Sequence, residues 1–211
     1  MQLVRSIVVG CIMCLNPGLA FGGSPASPIP YVITPMNRAS GRMLMMNPKS
    51  NGDGWGRCVE LQMDGSLMDL WSINWYALSR SLFLHVGGNA LLRVHEIHVD
   101  NQLAKQDYSD MIALTFYCEG KISKEIRLRE LVPGLKKQTL PKDSGPYGYI
   151  FVKQVQMLDG VAPAEVGLSN LDEKQIHALL HEDVFAITTS GEERVFYTSK
   201  GEAINRCVSR K

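Results

Sequence analysis

The chain has 211 residues, with 22 Lys and Arg against 21 Asp and Glu and a formal net charge of +1. That length is enough to bury a sizeable core in one domain. The balance of charge excludes the basic surplus that recognition of a phosphate backbone needs, so nucleic acid is not an expected partner.

Residues 1–20 read as a signal peptide: Arg5 gives the positive start, Ile7 to Leu15 the short apolar run, Pro17 the break and Gly18-Leu19-Ala20 the small-x-small cleavage site. The run is too short for a membrane anchor, and no transmembrane span is expected. Val8-Val9-Gly10-Cys11 matches the outline of a lipoprotein box, but few apolar residues precede Cys11, so cleavage before Phe21 and a periplasmic or secreted product are the expectation. Residues 21–30, FGGSPASPIP, form a flexible lead-in. Residues 31–208 are read as a single β-rich domain.

Tyr31 to Thr34, Gly41 to Asn47 and Arg57 to Met63 are candidate strands, with Lys49 to Gly56 as a loop. From Trp71 to Ala77, apolar Trp71, Ile73, Trp75 and Ala77 alternate with Ser72, Asn74 and Tyr76, the period of a strand with one dry face. Ser81 to Val86 and Ala90 to Val99 flank Gly87-Gly88-Asn89, a hairpin signal. Arg93, His95, Glu96 and His98 suggest an edge or half-solvated position for the second of these strands. Met111 to Cys118 and Lys121 to Glu130 form the cleanest amphipathic hairpin, around Glu119-Gly120. Its second strand is read with Ile122, Ile126 and Leu128 on the dry side and Ser123, Glu125, Arg127 and Arg129 on the wet side. Leu131 to Pro146 is a long polar loop, and Tyr147 to Gln156 is another strand. One short helix is expected near 170–181, capped by Asn170 with Glu173 three residues on and carrying an Ile176, Leu179 and Leu180 stripe. Val184 to Thr189 and Glu193 to Tyr197 are strands, followed by a turn and a tail with Cys207.

The segments HVGGNALLRV, YCEGKISKEI, TTSGEERVF and TSKGEAIN share one form, an apolar strand, a turn with Gly and a returning strand. This form resembles single blade hairpins of β-propeller proteins and of small exported bacterial β-proteins. The resemblance implies no catalytic residues. The fold class is therefore mainly β, as an antiparallel sheet, a sandwich or a propeller-like arrangement. The uneven turn spacing gives no repeat of the ~40-residue blade period, which favours an open sheet or sandwich.

Past residue 20 the chain keeps Cys58, Cys118 and Cys207. Cys118 shares the dry face of its strand, whereas Cys58 and Cys207 lie in polar settings and are the expected disulfide, closing a loop of about 150 residues. His177 and His181, four apart on a helix, are the alternative metal pair, with Glu182 or Asp183 as a third ligand; a solvated helix face is the ordinary reading. His95 and His98, three apart on a strand, point to opposite faces. Met43, Met45 and Met46 suit adaptable core packing better than copper. No GxSxG, SxxK, Walker loop or GxGxxG is present. No cofactor and no catalytic residue are assigned. The expectation is an exported, non-enzymatic β-domain acting by protein binding, such as an immunity or envelope accessory protein. A basic patch of Arg127, Arg129, Lys136 and Lys137 would meet an acidic partner. The alternative is an exported hydrolase or metal-binding protein that uses His177 and His181.

Overall fold

The computed structural model describes residues 28–35, 41–49, 53–85, 87–95, 108–133, 151–159, 171–181, 183–189 and 191–208. Twelve strands run through them in chain order, four to a sheet, and every neighbouring pair is antiparallel. The first sheet is β1 (Tyr31–Ile33), β2 (Arg42–Pro48), β3 (Gly54–Leu61) and β4 (Leu67–Ile73). The second is β5 (Leu82–Leu84), β6 (Ala90–Val94), β7 (Ile112–Cys118) and β8 (Lys121–Arg127). The third is β9 (Val152–Asp159), β10 (Asp183–Thr189), β11 (Glu193–Thr198) and β12 (Ala203–Val208). Each sheet is a meander in which sequence order is spatial order. The mainly antiparallel β class is therefore as expected. A threefold repetition of the meander is hidden in the sequence by unequal spacing, since the sheets begin at Tyr31, Leu82 and Val152.

Period-2 alternation decides how the sheets stack. In β6, Leu91 faces the first sheet and joins Leu44, Met46, Cys58, Ile73 and Tyr117 in one cluster. Its neighbours Ala90 and Leu92 face the third sheet and join Phe116, Phe185, Val195 and Tyr197 in another. The third sheet repeats the device: Phe185 and Ile187 point to the second sheet, while Val184, Ala186 and Phe196 pack under helix α2 (Glu173–His181) with Leu179. The inner strands β6 and β7 of the second sheet are thus buried on both faces over much of their length, which calls for an unbroken apolar run such as Ala90-Leu91-Leu92. This corrects the edge position expected for this strand. β6 lies between β5 and β7, and only its end is half-solvated: Arg93 is half-buried over Trp75 and the half-buried His95 ring is hydrogen-bonded to Thr115, while Glu96 and His98 lie outside the described residues.

Two local expectations also change. The strand expected through Glu130 stops at Arg127, because Leu128 and Leu131 both seek the core and do so from one turn of helix, α1 (Leu128–Leu131). The helix expected from Asn170 begins at Glu173. Its capping pair is Asp172 and Gln175: the Gln175 amide donates to Asp172 Oδ1 (2.8 Å), and the Asp172 amide donates to Gln175 Oε1 (2.9 Å). Gln175 Nε2 also donates to the Ile204 carbonyl of β12 (2.6 Å), which holds the helix against the third sheet. Among the described residues no helix is long and apolar enough to cross a membrane. Residues 1–27, and with them the expected signal peptide and most of the lead-in, lie outside the described residues.

Candidate functional site

Arg127 and Arg129, expected side by side on one strand face, come from β8 and α1 and converge on one carboxylate. Arg127 donates to the Asp110 carbonyl (2.9 Å) and stands 3.8 Å from its Oδ1, which Arg129 also contacts. All three side chains are about half exposed, so this pairing adds little stability. It does change the chemistry. The two guanidinium groups share an internal acid and do not stand bare before a partner. Lys136 and Lys137 lie outside the described residues.

Beside this cluster a cleft of about 580 Å³ opens between β8 and the β11–β12 turn. Two of its polar side chains, Ser123 and Arg206, are tied to groups of the same chain. Ser123 Oγ donates to the Lys200 carbonyl (2.9 Å), and Arg206 donates to the carbonyls of Leu131 (2.9 Å) and Glu130 (2.6 Å) and to Glu193 Oε2 (2.5 Å). Tyr197 lines the cleft but is almost wholly buried, and burial pushes its hydroxyl up to about 12, so it stays protonated at neutral pH.

His177 is exposed on α2; His181 follows four residues on, and its side chain lies outside the described residues. Among the described residues no group of three His, Cys, Asp or Glu is placed to hold a metal ion. Met43 and Met45 share one face of β2, and Leu44 and Met46 share the core face. Cys58 is a free thiol in the structure, fully buried, donating to the Gly88 carbonyl at 3.4 Å. Burial pushes this thiol up to about 11, against a smaller pull from Arg42. The expected disulfide to Cys207 is thus not formed here. Cys58 belongs to the first sheet, and Cys207 lies opposite Arg194 in the third.

The exposed apolar surface gathers on the first sheet. A groove of about 470 Å³ is lined by Trp55, Arg57, Ser72, Ile73, Asn74 and Trp75, together with glycines. Next along the same strands, the β3–β4 hairpin exposes Leu61 (49 %), Leu67 (45 %), Met68 (45 %) and the whole of Met63. Its turn is built by Asp64, whose carboxylate accepts the Ser66 amide (2.9 Å), and by Gly65 at φ 83°. The sequence reading assigns no strand to Leu67–Leu70. The Asp64-Gly65 pair is the signal that marks this hairpin.

No protein-family model matches the chain, and no curated protein matches it.

Proposed function

We propose that this chain is an exported, non-enzymatic β-domain that acts by binding another protein, in the manner of an immunity or cell-envelope accessory protein, and that it meets its partner through the β3–β4 hairpin. The observation that carries the reading is the exposure of Leu61, Met63, Leu67 and Met68 on one hairpin. Exposed apolar side chains gathered on one hairpin, here on both of its faces, cost solubility and mark a contact site. The polar clusters around Asp110 and Arg206, by contrast, are bonded within the chain. This moves the expected contact away from Arg127 and Arg129, whose charge is shared with Asp110. Trp55 and Arg57, residue types that dominate binding hot spots, lie on the same strand β3, toward its other end. Export rests on Arg5, the apolar run and Gly18-Leu19-Ala20.

Affinity capture from the exported fraction tests the reading, with wild type compared against Met63→Asp and Leu67→Asp. Both positions are exposed, so circular dichroism should be unchanged while the captured protein is lost. A partner retained equally by all three proteins would sink the proposal. Recovery of the native protein with Met1 intact would separately remove the export step.

A further inference from the structure

Each sheet has two outer strands, and among the described residues the later of the two, its closing strand β4, β8 or β12, has no further neighbour in its sheet. Unpaired edges invite pairing, and soluble proteins protect them with charge, bulges or cover. The closing strands of the second and third sheets follow that rule. β8 reads KISKEIR, with three cations against one acid, so a second copy brought to it would meet like charge. β12 is approached by α2, whose Gln175 amide takes the Ile204 carbonyl.

β4 reads LMDLWSI. Its one charge, Asp69, is already matched by Arg57 Nε at 3.2 Å, so the strand carries no net repulsion toward a copy of itself. Leu67 lies opposite Leu61 on one face, and Met68 lies opposite Glu60 on the other, which leaves an exposed apolar side chain on each side of the edge. The bulge at Leu70 interrupts the ladder and confines new pairing to the residues before it.

The turns give a second, independent indication. The turn entering the closing strand sits on the closing strand of the sheet before it. A Cβ at Gly120, before β8, would stand 2.5 Å from the Ser72 carbonyl oxygen of β4. A Cβ at Gly201, before β12, would stand 2.6 Å from Lys124 Cβ of β8. The equivalent Gly65, before β4, has nothing within 4 Å of that position. Among the described residues the first sheet therefore has an open seat where the other two have a neighbouring strand.

We infer that the protein self-associates through this edge, with β4 of one copy running antiparallel to β4 of a second about a two-fold axis. The inference rests on the hairpin reading above and names its partner. A strand edge run antiparallel to itself is its own hydrogen-bonding complement, which is what a two-fold interface requires. The seat at Gly65 then faces the closing strand of the partner copy. A β4–β4 contact about a two-fold axis uses the β4 edge of both copies, so this contact closes at two copies.

Sedimentation velocity of the purified protein from about 1 to about 100 µM, a range that brackets micromolar dissociation constants, tests this directly. Wild type should shift to about twice the monomer mass as concentration rises. Leu67→Lys and Met68→Lys place a charge on the edge and should stay monomeric with unchanged circular dichroism. Ile122→Lys, on the exposed part of β8, should associate as wild type does. A wild type that remains monomeric at about 100 µM, or dimers that survive both β4 lysines, would overturn the inference. If wild type is monomeric but Met63→Asp still abolishes capture of a foreign protein, the hairpin reading stands and the second copy is ruled out. If hairpin substitutions affect neither measurement, both readings fall.

Discussion

The second sheet meets its two neighbours by different physics. Toward the third sheet the contact is apolar and aromatic: Phe116 packs edge-on against Phe185 at 5.9 Å and tilted against Tyr197 at 5.3 Å, among Leu114, Leu128 and Leu131. Toward the first sheet an apolar cluster is supplemented by directional bonds to one turn. Arg42 donates to the Gly87 carbonyl, and Trp71 Nε1 (2.8 Å) and Cys58 Sγ (3.4 Å) both donate to the Gly88 carbonyl. Burial of area is tolerant of small shifts, whereas a hydrogen bond is not. The difference teaches that the interface between the second and third sheets resists by bulk, and that the interface with the first sheet depends on the geometry of three residues at a turn.

The largest expected effect tests the bulk side. Phe185→Ala removes a fully buried ring from the interface between the second and third sheets and should cost about 3–5 kcal/mol, read as a lower urea midpoint. A cost below about 1 kcal/mol would mean that this interface is not the one that holds the fold. Gly88→Ala tests the directional side. Its φ is 66°, and an added Cβ would stand 2.6 Å from Arg42 Cδ, so about 1–2 kcal/mol is expected from the backbone alone. Hydrogen exchange should show protection falling in β2–β4 while β10 and β11 keep theirs. Uniform loss across all three sheets would erase the distinction drawn above.

Acid should weaken the polar side next. His95 is half-buried, with Nε2 2.8 Å from Thr115 Oγ1, and burial, then the nearby Arg93 charge, push its pKa down to about 4. Its folded value lies below its unfolded value of about 6.5, so between the two the unfolded chain binds more protons. The contribution is present above pH 6.5 and is lost as pH falls toward 4. The full linkage of about 3 kcal/mol is discounted to about 1–2 kcal/mol for the exposed part of the ring. Thermal unfolding of wild type across that window, compared with His95→Gln, checks it, since the variant should lose the slope. Trp71→Phe keeps most of the ring but removes the bond to Gly88, for about 1 kcal/mol, again visible as exchange in the first sheet. The smallest effect concerns Cys58. Native protein should leave it unlabelled by a thiol reagent, and urea without reductant should expose it. Labelling that requires reductant would restore the disulfide with Cys207.

The sequence revealed elements wherever local chemistry and tertiary role agree. The β7–β8 hairpin is legible because the turn at Glu119-Gly120, with both residues at positive φ, separates two alternating runs. β6 is misplaced at an edge because Arg93 and His95 look solvated; they are half-buried, and Trp75 and Thr115, distant in sequence, accommodate them. Leu128 fits the strand period as well as it fits α1, and only the shared burial of Leu131 decides between them. The β3–β4 hairpin escapes notice for a different reason. Its apolar residues follow no clean alternation, since the bulge at Leu70 shifts the phase. The stacking order leaves no local signature, because it depends on which alternate residue of each strand meets which neighbour.

The glycine turns also bear on how the protein is made. Gly120 rests on β4, and Gly201 rests on β8. Each contact joins a later stretch of chain to an earlier one, so a nascent chain leaving the ribosome N-terminus first forms each meander before the turn that rests on it has emerged. A chain halted before β9 would have no cover for Ala90, Leu92, Leu114 and Phe116. Synthesis that stalls between the second and third meanders therefore yields a species prone to aggregation, and a reporter fused after residue 133 should be far less soluble than one fused after residue 208.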